Sequence, residues 1–301
     1  MNLTIGITSC NRLKYVKGLL NSIKELSQDC EIILVDNGSK EKGIQECLNK
    51  FHKDGIIHKL NIRPDRDWIN DEYIAKNIII ESASHDNILF LQDDCQFIGN
   101  KDILNKILLD FESRPELCLE VNGVRKCTLK DTVYPNSCFA GNSGFKYWYT
   151  INNHFQTMGF FKKFVFDKLG SYPVNWPQEK EFWGRSEDYY NALLKKNSQG
   201  HFTIKAHVPL FLTVWNDPRG GYAFIRGDER YGHYLDTNNA DGLYYEKLTN
   251  DEYNNLNNSN FPASFVDVAK PAGWEYELTA DGDQAKYSQA KVMLEGPKSN
   301  F

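Results

Sequence analysis

Residues Glu31–Ser39 read E-I-I-L-V-D-N-G-S, an apolar run that ends at an acidic turn. The run is too short for a helix and is apolar at consecutive positions. That is the mark of a strand covered on both faces, as in a parallel sheet. Asp36-Asn37-Gly38-Ser39 supplies the turn. Working outward, Leu3–Thr8 is a second short run of this kind, followed by Leu13, Val16, Leu19, Leu20, Ile23 and Leu26 at helical spacing. Downstream, Ile44, Cys47, Leu48 and Phe51 form a helical stripe, Ile56–Ile62 a third strand and Tyr73–Ala83 a third helix. Ile88–Leu91 is a fourth strand and stops at Asp93-Asp94; Ile103, Leu104, Ile107, Leu108 and Phe111 form another stripe before a strand near Leu117–Val121.

Alternating strands and helices predict an α/β fold with a Rossmann-like, mostly parallel sheet flanked by helices. Ligands of such sheets bind beyond the carboxyl ends of the strands. The first four strands end in Thr8–Arg12, Asp36–Ser39, Asn61–Arg66 and Gln92–Asp94. These four stretches, far apart in sequence, are therefore expected to line one rim.

The second half reads differently. Asn136–Gly144 has loop composition, Tyr147–Phe166 is heavily aromatic, and Glu187–Lys196 has helical character. Phe202–Trp215 is strand-like, with Pro209 marking an edge or bend. Asn216–Arg230 has the composition of a basic, glycine-rich loop, and from about Asp236 the chain is rich in Asn, Asp and Tyr, predicting an irregular extension.

The chain has 301 residues, 35 basic and 40 acidic, for a formal charge of −5. That balance disfavours a protein that grips nucleic acid by bulk charge. The seven cysteines form no C-x-x-C pair, as expected of a reduced compartment. The first residues lack the features of a signal peptide and no run reaches the ~20 apolar residues of a membrane span, so a cytoplasmic location is expected.

Several residues have the chemistry of a site, and each has a bland alternative. Asp93-Asp94, at the end of a buried strand, offers hard oxygen ligands for Mg²⁺ or Mn²⁺, or is a solvated turn. Glu187-Asp188 is either a first-turn acidic pair behind the cap Ser186 or a general base facing the rim. Arg219, Arg226 and Arg230 suit a diphosphate, or are solvated charges. His207 and His233 are potential metal ligands, or polar residues of surface and core. Asp36 either closes an Asx-type turn or accepts a hydrogen bond from a nucleotide. No G-x-G-x-x-G follows the first strand and no P-loop motif occurs, which disfavours dinucleotide oxidoreductases and P-loop enzymes.

Ile5–Arg12 (I-G-I-T-S-C-N-R), Ile32–Ser39 (I-I-L-V-D-N-G-S), Leu89–Asp94 (L-F-L-Q-D-D) and Ser186–Leu194 (S-E-D-Y-Y-N-A-L-L) occur in the order found in family 2 glycosyltransferases. The chain resembles that family over roughly residues 1–215. The resemblance implies the GT-A fold, with a glycosyltransferase domain over 1–235: a nucleotide-binding half, 1–125, and an acceptor-binding half, 126–235. Residues 236–301 are then an extension packing on the core. It implies inverting transfer of a sugar from a nucleotide diphosphate, typically UDP, to a carbohydrate or other hydroxyl acceptor, with Mn²⁺ or Mg²⁺. Thr8, Asn11 and Arg12 would lie by the nucleotide, Asp36 by the base, Arg63 and Lys76 by base or phosphate, Asp93 by the ribose and Asp94 on the metal. Beyond the resemblance, Arg219 and Arg226 of the glycine-rich loop would serve the donor, and His233 or His207 the metal. Asp188 would be the base, with Glu187 assisting. Gln92 departs from the motif, which carries an acid two residues before Asp94. A nucleotidyltransferase and a non-catalytic binding module are the competing classes; the first lacks its expected glycine-rich loop after Thr8, and the second draws support from Gln92.

Overall fold

The computed structural model describes residues 1–65, 67, 71–123, 133–151, 158–174, 202–213, 242–268, 270, 276–278 and 285–287. The N-terminal half alternates as its periodicity predicts: β1 (Thr4–Ser9), α1 (Leu13–Ile23), β2 (Glu31–Asp36), α2 (Ile44–Lys53), β3 (Lys59–Ile62), α3 (Asp71–Ser82), β4 (Asn87–Gln92), β5 (Cys95–Phe97), α4 (Lys101–Glu112) and β6 (Cys118–Glu120). Then follow β7 (Phe139–Ala140), β8 (Lys146–Tyr149), β9 (Gly159–Lys162), α5 (Phe164–Leu169), β10 (Thr203–Ala206), β11 (Phe211–Thr213) and α6 (Asn250–Asn257).

Nine strands form one sheet in the order β3-β2-β1-β4-β9-β6-β10-β8-β7. β3, β2, β1 and β4 are mutually parallel, and β6 and β10 run with them. β9 and β8 run against that direction. The order reverses at β1: the chain moves outward through β2 and β3, then crosses back to place β4 on the other side of β1. Such a switch point leaves a crevice between the loops that follow β1 and β4.

The alternation of strand side chains divides the core in two. Ile5, Ile7, Ile32, Leu34, Leu89 and Leu91 face α1, α2 and α4. Ile33, Val35, Ile88 and Phe90 face α3 and α5. On that second face α3 lies so close to β1 that a Cβ on Gly6 would stand 2.4 Å from Ile79 Cγ2. Glycine at this position is what allows the close approach.

Three elements differ from the sequence reading. The third strand begins at Lys59, not Ile56, because Gly55 turns the chain with φ 74° and Ile56 and Ile57 are buried in that turn. The stretch read as a loop at 136–144 contains the two-residue β7, paired antiparallel with β8. The extension is not wholly irregular: Thr249 and Glu252 form a reciprocal capping box that starts α6. Tyr244, Tyr245, Leu248 and Tyr253 are buried in the core facing α1. Among the described residues no helix is long and apolar enough to cross a membrane.

Candidate active site

The loop after β1, one wall of the crevice, is hydrogen-bonded to the loop after β2. After β1, Asn11 takes up a left-handed backbone conformation, φ 51°. Its N–H donates to Ser39 Oγ (2.8 Å), and its Oδ1 accepts from the backbone N–H groups of Lys40 (2.6 Å) and Glu41 (3.2 Å). Glu41 returns the contact by accepting from Leu13 N–H at the start of α1 (2.9 Å). Asn11, expected beside the nucleotide, is thus the brace between the β1 and β2 loops.

Asp36 ends β2 fully buried; its carboxylate accepts from Ser39 N–H (3.0 Å) and Ser39 Oγ–H (2.5 Å). The turn-closing reading of Asp36 is therefore realised in its bonds. Ser9 lies opposite Asp36 in the register and on the same sheet face. Its Oγ is buried without a hydrogen-bond partner, an orphan of a kind that costs about 1–3 kcal/mol.

Arg12, Asp93 and Asp94 meet at the switch point. Arg12 Nη1 donates to Asp93 Oδ1 (2.9 Å) and to Asp94 Oδ2 (2.8 Å). Asp93 is fixed further by Cys10 N–H on its Oδ2 (3.0 Å) and by its own N–H on Thr8 O (3.1 Å). All three side chains are buried. Burial opposes the Arg12 cation, but the charges of Asp93 and Asp94 outweigh it and keep the guanidinium protonated. Burial raises the Asp93 carboxyl above the ordinary carboxylate range, against the pull of Arg12 and with the push of Asp94.

On the opposite sheet face, α3 begins with two acids that hold two cations. Asp71 accepts from Arg63 Nη1 (2.6 Å), which also donates to Asn37 Oδ1 (2.8 Å). Glu72 pairs with Lys76 (3.1 Å) and accepts from Gln92 Nε2 (3.3 Å). The buried Lys76 ammonium sits 5.2–6.0 Å from the ring centroids of Tyr172, Tyr73 and Phe90. Glu72 went unnoticed in the sequence. An acid four residues before a lysine on a helix was its only signal.

Thr8, Asn11, Arg12, Asp36, Arg63, Lys76, Asp93 and Asp94 therefore gather around the carboxyl ends of β1, β2, β3 and β4. His207 does not fit the metal-ligand expectation. Its Nδ1 accepts from Trp148 Nε1–H (2.9 Å), which puts the proton on Nε2, facing Ser259 Oγ at 2.9 Å. A neutral imidazole has one ring lone pair, and here the indole takes it. Glu187, Asp188, Arg219, Arg226 and His233 lie outside the described residues, as do Trp176 and Trp183. The ends of the segment carrying Arg219, Arg226 and His233 are described. Thr213 pairs with Cys95, directly after Asp94, and the Gln96 side chain bonds the backbone of Tyr244 and Tyr245.

Among the described residues no three ligand-type side chains gather around one point. The donor set at the crevice is Asp93 and Asp94. One or two carboxylates, with water and phosphate oxygens completing the shell, suit a hard divalent ion.

The Glycosyl transferase family 2 model matches residues 4–170. An uncharacterized glycosyltransferase of Haemophilus influenzae is 37% identical over 92 residues, 31% of this chain and 34% of that protein. The crystal structure of S. aureus TarS 1–349 superposes with a TM-score of 0.51 at 15% identity, covering 71% of this chain and 60% of that one. Its complex with UDP also superposes with a TM-score of 0.51, at 14% identity, covering 70% and 60%. The chain thus matches about a third of its curated relative's length.

Proposed function

The chain belongs to glycosyl transferase family 2, and from that premise we propose that it is an inverting glycosyltransferase using a nucleotide-diphosphate sugar, UDP first among candidates. The observation that carries the reading is the meeting of Arg12, Asp93 and Asp94 at the switch point, beside the buried Asp36. A diphosphate cannot approach two carboxylates without counter-charge. Arg12 supplies one positive charge against two negative ones, so the cluster is left at −1 and suits a donor that arrives with a cation. Asp94 would hold that ion, Mn²⁺ or Mg²⁺, with His233 as a further ligand. When bound, the ion neutralises charge on the departing diphosphate. TarS, which shares the fold, was solved with UDP.

In this reading Thr8 lies by the nucleotide, Asp36 by the base, Asp93 by the ribose, and Arg63 and Lys76 by the base or phosphates. Arg219 and Arg226 grip the diphosphate. Asp188 takes the proton from the acceptor hydroxyl as its oxygen attacks the anomeric carbon on the side opposite the leaving diphosphate, and Glu187 helps hold acceptor and base. One bond forms as the other breaks, and the configuration inverts. General-base help of this type is worth about 10²–10⁴-fold. The acceptor is a carbohydrate or another hydroxyl-bearing molecule, and the protein works in the cytoplasm.

The test is release of free nucleotide from a panel of nucleotide sugars, with Asp188→Asn beside the unaltered protein. Turnover is expected to fall by at least about 10²-fold, with UDP affinity within a few-fold of the original. An Asn variant as fast as the parent removes Asp188 from the role. Binding without release for every donor favours the non-catalytic module, and release of pyrophosphate favours the nucleotidyltransferase.

A further inference from the structure

Arginine normally meets a carboxylate with two nitrogens of its fork. Arg12 does something else: the single Nη1 stands 2.9 Å from Asp93 Oδ1 and 2.8 Å from Asp94 Oδ2, bridging two carboxylates through one cationic atom. The backbone that carries Arg12 is anchored. Asn11 and Glu41 fix the backbone on either side of Arg12 at the mouth of α1. The two acids are not held alike. Asp93 has bonds to the β1 loop through both Cys10 N–H and Thr8 O. Among the described residues Asp94 is held by Arg12, with a long 4.0 Å contact from Cys95 Sγ beside it. Asp93 is thus the fixed partner of the arginine and Asp94 the releasable one.

We propose that Arg12 is the resident counter-ion of Asp94, and that a divalent ion competes with it for that carboxylate. This rests on the reading of Asp94 as the metal-holding residue. Two cations at one buried carboxylate repel each other, so the ion weakens the Arg12 bond to Asp94 Oδ2, while the guanidinium keeps its bond to Asp93. The nucleotide-free protein then holds the ion weakly. A nucleoside diphosphate adds negative charge and phosphate oxygens, which tips the exchange toward the ion. Ion and nucleotide bind as a coupled pair, and the same factor must appear in each one's affinity.

The experiment measures Mn²⁺ binding from the electron paramagnetic resonance of the free ion, with and without UDP. It compares the unaltered protein with Arg12→Gln, Arg12→Lys and Asp94→Asn. Without UDP, Arg12→Gln is expected to bind Mn²⁺ roughly tenfold or more tightly than the parent, with Arg12→Lys between them. UDP is expected to tighten binding by the parent by about tenfold or more and to matter less in Arg12→Gln. Asp94→Asn is expected to lose binding. If Arg12→Gln binds no better than the parent while the parent with UDP binds through Asp94, competition is overturned and the donor-site reading stands. If no protein binds Mn²⁺ even with UDP, both are overturned. Should the Arg12 variants fail to fold, the guanidinium resonance of Arg12 in the unaltered protein decides. It is expected to shift when Mg²⁺ and UDP are added together and not with Mg²⁺ alone. A signal unmoved by the pair overturns the proposal.

Discussion

Asn11 shows how much of the site is scaffold. Its left-handed backbone suits Asn or Gly, and its side-chain oxygen accepts two backbone N–H groups from the neighbouring loop. Asn11→Ala loses both acceptor bonds and strains the backbone. It is expected to destabilise the fold by about 1–3 kcal/mol, read as a lower denaturant midpoint at unchanged slope. An unchanged midpoint would show that the brace is dispensable. The sequence placed Asn11 at the rim but not its task, because its partners Lys40 and Glu41 lie 29 and 30 residues away. Gln92 is a similar case. Its amide and Lys76 share the Glu72 carboxylate, so an acid is present beside the end of β4 although residue 92 is neutral.

At the scale of elements, local periodicity made β1, β2, α2 and β4 legible to within a residue or two at each end, and α1 to within three. Such stretches carry their own pattern of burial. What escaped notice depends on partners far along the chain. The two-residue β7 exists only because β8 pairs with it, and α6 rests on the cap at Thr249 in a stretch of poor helix formers. The metal-ligand reading of His207 failed for the same reason: the register of β8 on β10 sets Trp148 beside it. Helix α1 gives a sharp test. A Cβ on Gly18 would lie 2.4 Å from Gly242 O, where the C-terminal segment crosses the helix. Glycine to alanine within a helix ordinarily gains about 1 kcal/mol. Here Gly18→Ala is expected to cost about 1–3 kcal/mol, because backbone must shift. It should also speed proteolysis within residues 242–248. A stabilised variant would refute the contact.

At the scale of the whole molecule, one chain of hydrogen bonds fastens the C-terminal segment to the sheet. It runs from Trp148 on β8 through His207 to Ser259, whose hydroxyl donates to Phe261 O (2.7 Å). Burial, and then the Lys146 charge, lower the His207 imidazole from its usual value to about 4, against a backbone contact at Leu256. The folded state holds this ring neutral while the unfolded state protonates it near 6.5. Stability is therefore complete above about pH 6.5 and falls as the pH drops toward 4, by up to about 3 kcal/mol. Urea midpoints across that range check the slope, and His207→Asn is expected to flatten it. An equal slope in the variant would assign the effect to another group.

The placing of β4 beside β1 also governs how the protein comes into being. The bond from Arg12 to Asp93 joins residues 81 apart. As the chain leaves the ribosome, β1, β2 and β3 can pair while the other edge of β1 waits for β4 to be synthesised. Closing so long a loop costs entropy before any contact repays it. Until then that edge of β1 is an unpaired strand edge, and the acidic pair gains its arginine only when the centre of the sheet closes.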